Sequence, residues 1–359
     1  GEAFDPSNAN VEKRTRRPEK INGGLKIALL PKKTRASAVS VSMTLRFGDE
    51  RSLQKSDGPS SLAAMMLRRG TTKHTRQQIA DELDRLKSRV NIGGGGQSVS
   101  VSIETTRENL PQVWKLAVEM LKEPAFPAAE LATLKSELIA RYEEQRSDPQ
   151  GRAANAFYKS LYPWPKGDPR YVTSPDEDIA EVKATSLAQV RAFWKKFYGA
   201  SNGELAVVGD IDEAEMLGLA KGAFDGWKSP APYTRIENPV KDVAGSNTNI
   251  ETPDKTSAAW FAGERIAMRD DDADYPAMVL GNFMLGGGFL NSRLATRIRQ
   301  KEGLSYGVGS QFFASGLDPE ATFMTYAIYN PDVVDKLEKA MDSEIQTAID
   351  KGFTDDEIR

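Results

Sequence analysis

Two side chains seven positions apart, Arg299 and Tyr306, are the strongest candidates for chemistry in this 359-residue chain. Between them the sequence ends a helix at Gly303 and continues with the apolar Leu304, the pattern expected of a left-handed glycine cap and its packing contact. Arg299 is predicted in the last turn of that helix and Tyr306 at the start of the next strand, so the two side chains can converge. A guanidinium and a phenol both donate hydrogen bonds, which suits a carbonyl oxygen or a developing oxyanion.

The surface alternative for these two residues is an ordinary one: a solvated helix arginine and a strand tyrosine with its hydroxyl in water. Other catalytic groups are scarce, because the chain has one histidine, His74, and no cysteine. It therefore cannot build an ordinary catalytic zinc site from its own side chains. His74 begins a predicted helix and is interpreted as a surface or capping residue. A serine nucleophile would lack a convincing base.

Two further patterns could be mistaken for ligand sites, one for calcium and one for phosphate. The acidic run from Asp270 to Asp274 lacks the alternating ligands, glycine turn and closing glutamate of a calcium loop, and suits the start of a helix. The glycines at 93–96 and 286–288 are not followed by the Lys-Ser/Thr pair of a phosphate loop. We interpret both glycine runs as turns or flexible rims.

Composition narrows the class of partner. The 48 Lys and Arg residues nearly balance the 51 Asp and Glu residues, and the two signs are interspersed, which argues against nucleic acid or an anionic membrane as partner and favours a peptide. No apolar run is long enough for a membrane helix. The absence of cysteine excludes disulfides but leaves the compartment open.

The order of the predicted elements indicates two domains joined by a linker. Residues 1–20 have no period and are predicted to be an arm, with ordered structure from Ile21. A first α+β domain is predicted over 21–228, a linker over 229–256 and a second α+β domain over 257–359.

The second domain repeats the first. Phe47-Gly-Asp-Glu-Arg51 has a counterpart in Phe261-Ala-Gly-Glu-Arg265, and Leu67-Arg-Arg-Gly70 has one in Phe283-Met-Leu-Gly286. Similar offsets indicate a duplication whose second copy is truncated at Arg359. We therefore expect an exposed sheet or core edge at that end.

Periodicity predicts the elements of each copy. In the first, a strand over 38–47 precedes helices near 59–69 and after Thr75, and the glycines at 93–96 interrupt the chain before another strand. In the second, a helix from Tyr275 and another from Asn291, carrying Leu294 and Ile298, precede a hairpin from Tyr306 to Tyr329 and a helix that starts at Pro331.

The segment Gly286 to Ser310 resembles the signature of the non-catalytic half of pitrilysin/insulinase-type zinc metallopeptidases, the family of mitochondrial processing peptidase. In that family an Arg and a Tyr within a stretch like Arg299-Gln-Lys-Glu-Gly-Leu-Ser-Tyr306 reach toward the substrate at the zinc of the other half. The resemblance extends over most of the chain. It implies two duplicated α/β-sandwich domains, each with a largely antiparallel sheet covered by helices, a fold class of the processing-peptidase and LuxS-like type.

The chain departs from the catalytic halves of that family at the metal motif. Where these carry His-x-x-Glu-His ahead of Arg/Lys-Gly-Thr, this chain has Ser61-Leu-Ala-Ala-Met65 ahead of Arg69-Gly-Thr71. The stretch Ile139 to Glu144, where a third ligand would lie, offers carboxylates. The two histidines that would bind the metal together with such a carboxylate are missing. The resemblance thus implies no cofactor in this chain, and zinc in a partner half that is either covalently joined or a separate subunit.

The function implied is that of a chamber-closing half of a metallopeptidase assembly, inactive by itself, that acts on peptides or unfolded polypeptides through Arg299 and Tyr306. The opening segment Gly1-Glu-Ala-Phe-Asp-Pro-Ser is similar to the connection between the two halves in long bacterial members, which suggests the C-terminal half of such a protein and, by resemblance alone, the periplasm. The alternative is a structural or binding subunit like the core proteins of respiratory complexes, without a catalytic role.

Overall fold

The computed structural model describes residues 1–359 and contains eight strands and twelve α-helices. The strands are β1 (Lys26–Pro31), β2 (Ala38–Arg46), β3 (Arg89–Gly95), β4 (Ser98–Thr106), β5 (Gly203–Gly209), β6 (Ala258–Ile266), β7 (Ser305–Ala314) and β8 (Ala321–Tyr329). The helices are α1 (Asn8–Arg14), α2 (Asp57–Met66), α3 (Arg76–Arg85), α4 (Leu110–Lys122), α5 (Ala128–Ser147), α6 (Pro149–Leu161), α7 (Pro175–Ala184), α8 (Leu187–Phe197), α9 (Glu213–Phe224), α10 (Tyr275–Asn282), α11 (Val334–Lys351) and α12 (Asp355–Ile358). None of these helices combines the length and the apolar character that crossing a bilayer requires.

Packing divides the chain into two compact units. The first comprises residues 1–139, 167–169 and 180–236, and the second comprises residues 140–166, 170–179 and 237–359. The second unit therefore includes α6, which precedes β5 in the chain. The domain boundaries predicted at 228 and 257 stay predictions.

The first unit is built on a five-stranded sheet in the order β1-β5-β2-β4-β3. Only β1 and β5 run parallel, and the other neighbours are antiparallel. In β2 the side chains of Val39, Val41, Met43 and Leu45 are buried while their neighbours face away, as the period of two predicted. Residues 1–20 hold α1, and Arg16 pairs with Leu29 of β1, so order begins before Ile21.

The second unit is built on an antiparallel three-stranded sheet in the order β6-β8-β7. Helix α6 covers part of it, where Phe157 and Leu161 pack against Met324. The main core of this unit lies between β7, β8, α11 and the segment that precedes β7. Its largest buried side chains are Leu285, Leu294, Ile298, Leu304, Val308, Tyr329, Leu337 and Met341.

The predicted duplication is visible in the strand order. In the first unit β4 lies between β2 and β3, and in the second unit β8 lies between β6 and β7. In each of these triplets the middle strand, β4 or β8, pairs along nine residues with β2 or β6: Ala38–Arg46 with Thr106–Ser98, and Ala258–Ile266 with Tyr329–Ala321. Both sheets are largely antiparallel and helix-covered, so the predicted fold class is confirmed.

The interpretation of the glycines at 93–96 as a turn holds for Gly96, which lies between β3 and β4 with a φ of 56°, but not for the other three. Gly93, Gly94 and Gly95 do not interrupt the chain but belong to β3 and pair with β4. A Cβ on Gly94 would lie 2.9 Å from the Cα of Val99 and 3.3 Å from the Cβ of Ala64, so the glycine permits a close approach of α2 to the hairpin. The run at 286–288 is not a flexible rim either, since Phe283–Gly287 forms a π-helical turn that continues α10.

Candidate functional site

The segment between α10 and β7 is compact and irregular. After the π-helical turn Phe283–Gly287 come a short 3₁₀ turn, Phe289–Asn291, and a second π-helical stretch, Ala295–Lys301. The second helix was expected to be capped from Asn291, but the hydroxyl of Ser292 accepts from the N–H of Ala295 at 3.3 Å. The cap therefore lies one residue later.

Gly286 brings this segment against β7. A Cβ at this position would lie 2.6 Å from Ser310 Oγ and 2.8 Å from the carbonyl carbon of Gly309, and it would also meet the backbone nitrogen of Ser310. Two of these contacts are with backbone atoms, which cannot move aside as a flexible side chain can. Only glycine therefore fits here without a shift of the strand.

The end of the π-helical stretch matches the sequence prediction. Gly303 has a φ of 62°, and the N–H of Leu304 donates to Ile298 O at 2.8 Å, which is the long bond of a left-handed helix cap. Leu304 is buried in the core of the unit. The cap reverses the chain and starts β7 immediately after the helix.

The arginines of this segment differ in their surroundings. Arg293 donates from Nε to Glu357 at 2.8 Å and from Nη2 to Gly352 O at 3.0 Å. Arg297 bonds Glu302 at 2.8 Å and Glu344 at 2.9 Å. Both are thus held by partners within the unit and serve packing.

Arg299, in contrast, is exposed and has no hydrogen-bonding or ion-pair partner in the chain. Its π-helical stretch is fixed on both sides, by the bonds of Arg297 on α11 and by Gln300 Nε2, which donates to Leu290 O at 2.6 Å. The helix backbone is therefore anchored while the guanidinium of Arg299 is available for a ligand.

Tyr306 is presented by an irregularity in the sheet. The β7–β8 pairing shifts between Ser305, opposite Tyr329, and Gly307, opposite Ile328. Tyr306 is the extra residue of this β-bulge, a feature that re-aims a side chain and is frequent next to active sites. Its side chain is 68% exposed and has no partner in the chain, so the phenol hydroxyl is free to donate.

Ser305 holds the bulge and was missed by sequence reasoning. It is 7% exposed, and its hydroxyl lies 2.7 Å from Gly307 O and 2.6 Å from Ile328 O. A serine in a strand carries no sequence signal of such a role, because the role depends on which residue of the neighbouring strand lies opposite.

Arg299 and Tyr306 are thus two exposed donors on either side of one turn, as the sequence predicted. They make no hydrogen bond with each other. Because the two groups are unpaired, they can both donate to an oxygen of a bound molecule. Their convergence on one substrate atom stays a prediction.

The position of the metal motif lies on α2 in the first unit and cannot bind zinc. Leu62, Ala63 and Ala64 are buried, and Ser61 faces the end of β3, where a Cβ on Gly95 would lie 3.1 Å from its hydroxyl. Zinc prefers imidazole, thiolate and carboxylate ligands, and hydroxyl and thioether groups do not replace them. No group of three or more His, Cys, Asp or Glu side chains in the chain is arranged to hold a metal ion.

His74 has a partner that the sequence did not reveal. Its Nδ1 lies 2.6 Å from Glu119 Oε1, and the hydroxyl of Thr71 donates to the same carboxylate oxygen at 2.5 Å. Glu119 is buried, so the pair supplies hydrogen bonds to a carboxylate that would otherwise lack them. The helix cap is the neighbouring Thr75, whose side chain accepts from Gln78 N.

Comparisons with known proteins show which proteins the chain is similar to. The family model described as "Peptidase M16 inactive domain" matches residues 184–359. An uncharacterised zinc protease of Rickettsia felis is 24% identical over 330 residues, which cover 90% of this chain and 76% of that protein.

Solved structures of low sequence identity share the fold. The peptidase M16 inactive domain from Pseudomonas fluorescens superposes with a TM-score of 0.82 at 24% identity, covering 96% of this chain and 81% of its own. The periplasmic protease PqqL from Escherichia coli gives a TM-score of 0.67 at 18% identity, and the match covers 96% of this chain but 39% of PqqL. Residues 184–359 are thus similar to the inactive domain of M16 peptidases, in line with the resemblance of the signature segment to the pitrilysin and insulinase type.

Proposed function

We propose that this chain is the non-catalytic half of a zinc metallopeptidase, which closes the peptide chamber and supplies Arg299 and Tyr306 to the substrate. The observation that carries the proposal is the presentation of Tyr306: a β-bulge exposes its phenol without a partner. Arg299, which has no partner, lies across the adjoining turn, whereas Arg293 and Arg297 of the same segment form ion pairs.

The chemistry assigned to this chain is hydrogen-bond donation. The phenol of Tyr306 and the guanidinium of Arg299 bind the carbonyl oxygen of a peptide bond, and the bonds strengthen as negative charge develops on that oxygen. Zinc chemistry, which activates water for attack on the carbonyl, belongs to the companion half. This chain's residues orient the substrate and stabilise the tetrahedral intermediate.

Peptides suit the rest of the molecule as substrates. The formal net charge of −3 provides little long-range attraction for a polyanion. The sheets end in strands such as β3 and β7 that pair on one side only, so an extended peptide can add to an edge through main-chain hydrogen bonds. Such binding would give broad sequence specificity.

The test is Tyr306→Phe in the assembly of this chain with its companion half. We expect kcat on fluorescein-labelled casein to fall about 100- to 1,000-fold, because one oxyanion donor is lost, while the zinc content of the assembly is unchanged. Tyr275→Phe is the matched control, since that ring packs against Phe312 in the same unit. Unchanged turnover in Tyr306→Phe would remove the catalytic role.

The same preparation tests the alternative of a structural or binding subunit. Purification of the full chain with its natural partners should yield a subunit or segment that carries His-x-x-Glu-His and binds zinc. A stable assembly without any such motif and without metal would instead support the structural role. An isolated chain that binds zinc stoichiometrically and cleaves casein would contradict the proposed division between the halves.

A further inference from the structure

The β-bulge at Tyr306 has a single hydroxyl at its base. Along the rest of β7 the ladder with β8 is regular from Gly307, opposite Ile328, to Ala314, opposite Ala321. The shift occurs only at the first rung, where Ser305 and Tyr306 precede Gly307. An extra residue leaves the local ladder disrupted and some backbone groups without their usual partners.

Ser305 supplies side-chain contacts at the point where the pairing shifts. Its hydroxyl has one proton and lies within reach of two carbonyl oxygens, Gly307 O on its own strand and Ile328 O on β8. These two oxygens stand on opposite sides of the bulge. The hydroxyl therefore ties the strand that carries Tyr306 to its neighbour at the place where the pairing shifts.

Burial of Ser305 increases the free-energy cost of losing this hydrogen bond. Ser305 is 7% exposed and lies beside Leu304, which is in the core of the unit. Water therefore has little access to replace the hydroxyl, and a buried carbonyl without a donor is unfavourable. Without the bond, the regular register becomes the better alternative for the chain.

The consequence for Tyr306 follows from strand geometry. A slip of one residue in a strand turns each side chain to the opposite face. If the bulge closed, the phenol of Tyr306 would leave its exposed position and buried neighbours such as Val308 would be displaced. The exposed state of Tyr306 thus depends on the bulge, and the bulge depends on a donor at its base.

We propose that Ser305 is a positioning residue, whose hydroxyl holds the bulge open and so orients Tyr306 toward the substrate. This inference rests on the proposed function for its catalytic consequence, but the clamp itself is a property of this chain alone. Its two parts can therefore be tested separately.

The first experiment measures the clamp in the isolated 359-residue chain. Ser305→Ala should increase amide hydrogen exchange about tenfold in peptides that span residues 304–309. Ser310→Ala is the matched control: it removes a buried hydroxyl from the same strand, where Ser310 donates to Asn282 O at 3.2 Å, outside the bulge. If amide exchange at residues 304–309 were unchanged in Ser305→Ala, with normal exchange in the rest of the second unit, the clamp would be overturned.

The second experiment measures catalysis in the assembly with the companion half, with labelled casein as substrate. Ser305→Ala should lower kcat about 10- to 100-fold with little change in KM, as expected for a misplaced donor, and Ser305→Thr, which keeps the hydroxyl, should restore most of the activity. Added to Tyr306→Phe, Ser305→Ala should cause no further loss, because it acts through that phenol.

The outcomes separate the two ideas. Equal losses from Ser305→Ala with and without the Tyr306 hydroxyl would indicate a merely structural effect and overturn the positioning role. A Tyr306→Phe assembly with unchanged kcat would overturn the proposed function. Unchanged exchange in the isolated chain overturns the clamp even if Tyr306 proves catalytic.

Discussion

The two copies share a strand order but differ in how regular they are. In the first copy β3 pairs with β4 without a shift from Arg89 to Gly95, and α2 is an uninterrupted α-helix that carries the degenerate metal motif. In the second copy β7 is bulged at its start, and the preceding helical segments include two π-helical stretches. The irregular elements of the second copy coincide with the signature segment.

This difference supports the proposed location of the functional site in the second copy. π-Helical turns and β-bulges are less favourable than the regular elements they replace and are frequent at functional sites. Phe289, in the same segment, adds a left-handed backbone with a φ of 53° and a side chain that is 73% exposed, which is uncommon for a bulky residue. The copy without metal ligands at the motif position has a regular geometry there, whereas the copy with Arg299 and Tyr306 has an irregular one.

The comparison can be sharpened within the second copy by two arginines that lie two residues apart. Arg299→Ala should lower kcat of the assembly about 100-fold, because it removes a free donor, with a change in unfolding free energy within about 0.5 kcal/mol. Arg297→Ala should instead lower the stability and leave turnover nearly unchanged. It breaks the bonds to Glu302 and Glu344 and should cost about 1 kcal/mol of stability with little loss of turnover.

The measurements for this pair are casein turnover and urea unfolding of the same preparations. If both variants lost stability equally and neither lost turnover, the distinction between a free and a paired arginine would have no functional meaning. If Arg297→Ala alone abolished turnover, the ligand-binding arginine would have been misassigned.

The glycines of the two copies provide the next comparison. Gly286→Ala should destabilise the second unit by about 1 to 3 kcal/mol, because its Cβ would press on the backbone of Gly309 and Ser310. Gly93→Ala, in the regular edge strand of the first copy, meets nothing within 4 Å and should change stability by less than about 0.5 kcal/mol. Urea unfolding followed by tryptophan fluorescence and by hydrogen exchange distinguishes the two units. Equal effects of the two substitutions would show that the approach of the π-helical turn to β7 is not tight in solution.

Much of the regular structure was predictable from the sequence because its signals are local. The apolar alternation of β2, the Thr75 cap of α3 and the left-handed Gly303 are each specified by residues within one turn or strand. The same holds for the helix α11, where Leu337 and Met341 are buried at helical spacing.

The irregular features could not be predicted because they depend on distant neighbours. Apolar residues such as Leu294 and Ile298 have the same spacing in an α-helix and in a π-helical stretch, so periodicity does not distinguish them. The bulge at Tyr306 depends on the register of β8, and the fit of Gly286 depends on the backbone at Ser310. Sequence thus identified the two donors, while the structure was needed to find what presents them.

An ion pair between Arg293 and Glu357 ties the signature segment to α12. The hydrogen bonds from Arg293 lower the pKa of Glu357 from its usual value of 4.5 to about 2, with side-chain exposures of 11% and 25% for the pair. A carboxyl whose pKa is depressed in the folded state stabilises it above the unfolded pKa, and that stabilisation is lost as pH falls from about 4.5 toward 2. After allowance for solvent screening, Glu357→Gln should cost about 1 to 2 kcal/mol at pH 7 and roughly half of that or less at pH 3. Urea unfolding of both proteins at the two pH values checks this.

Asp356→Asn is the control, because Asp356 is 95% exposed and its only ion-pair contact is a 3.9 Å approach to Arg359. A difference between wild type and Glu357→Gln that stayed constant from pH 7 to pH 3 would show that the bond to Arg293 does not depend on the carboxylate charge.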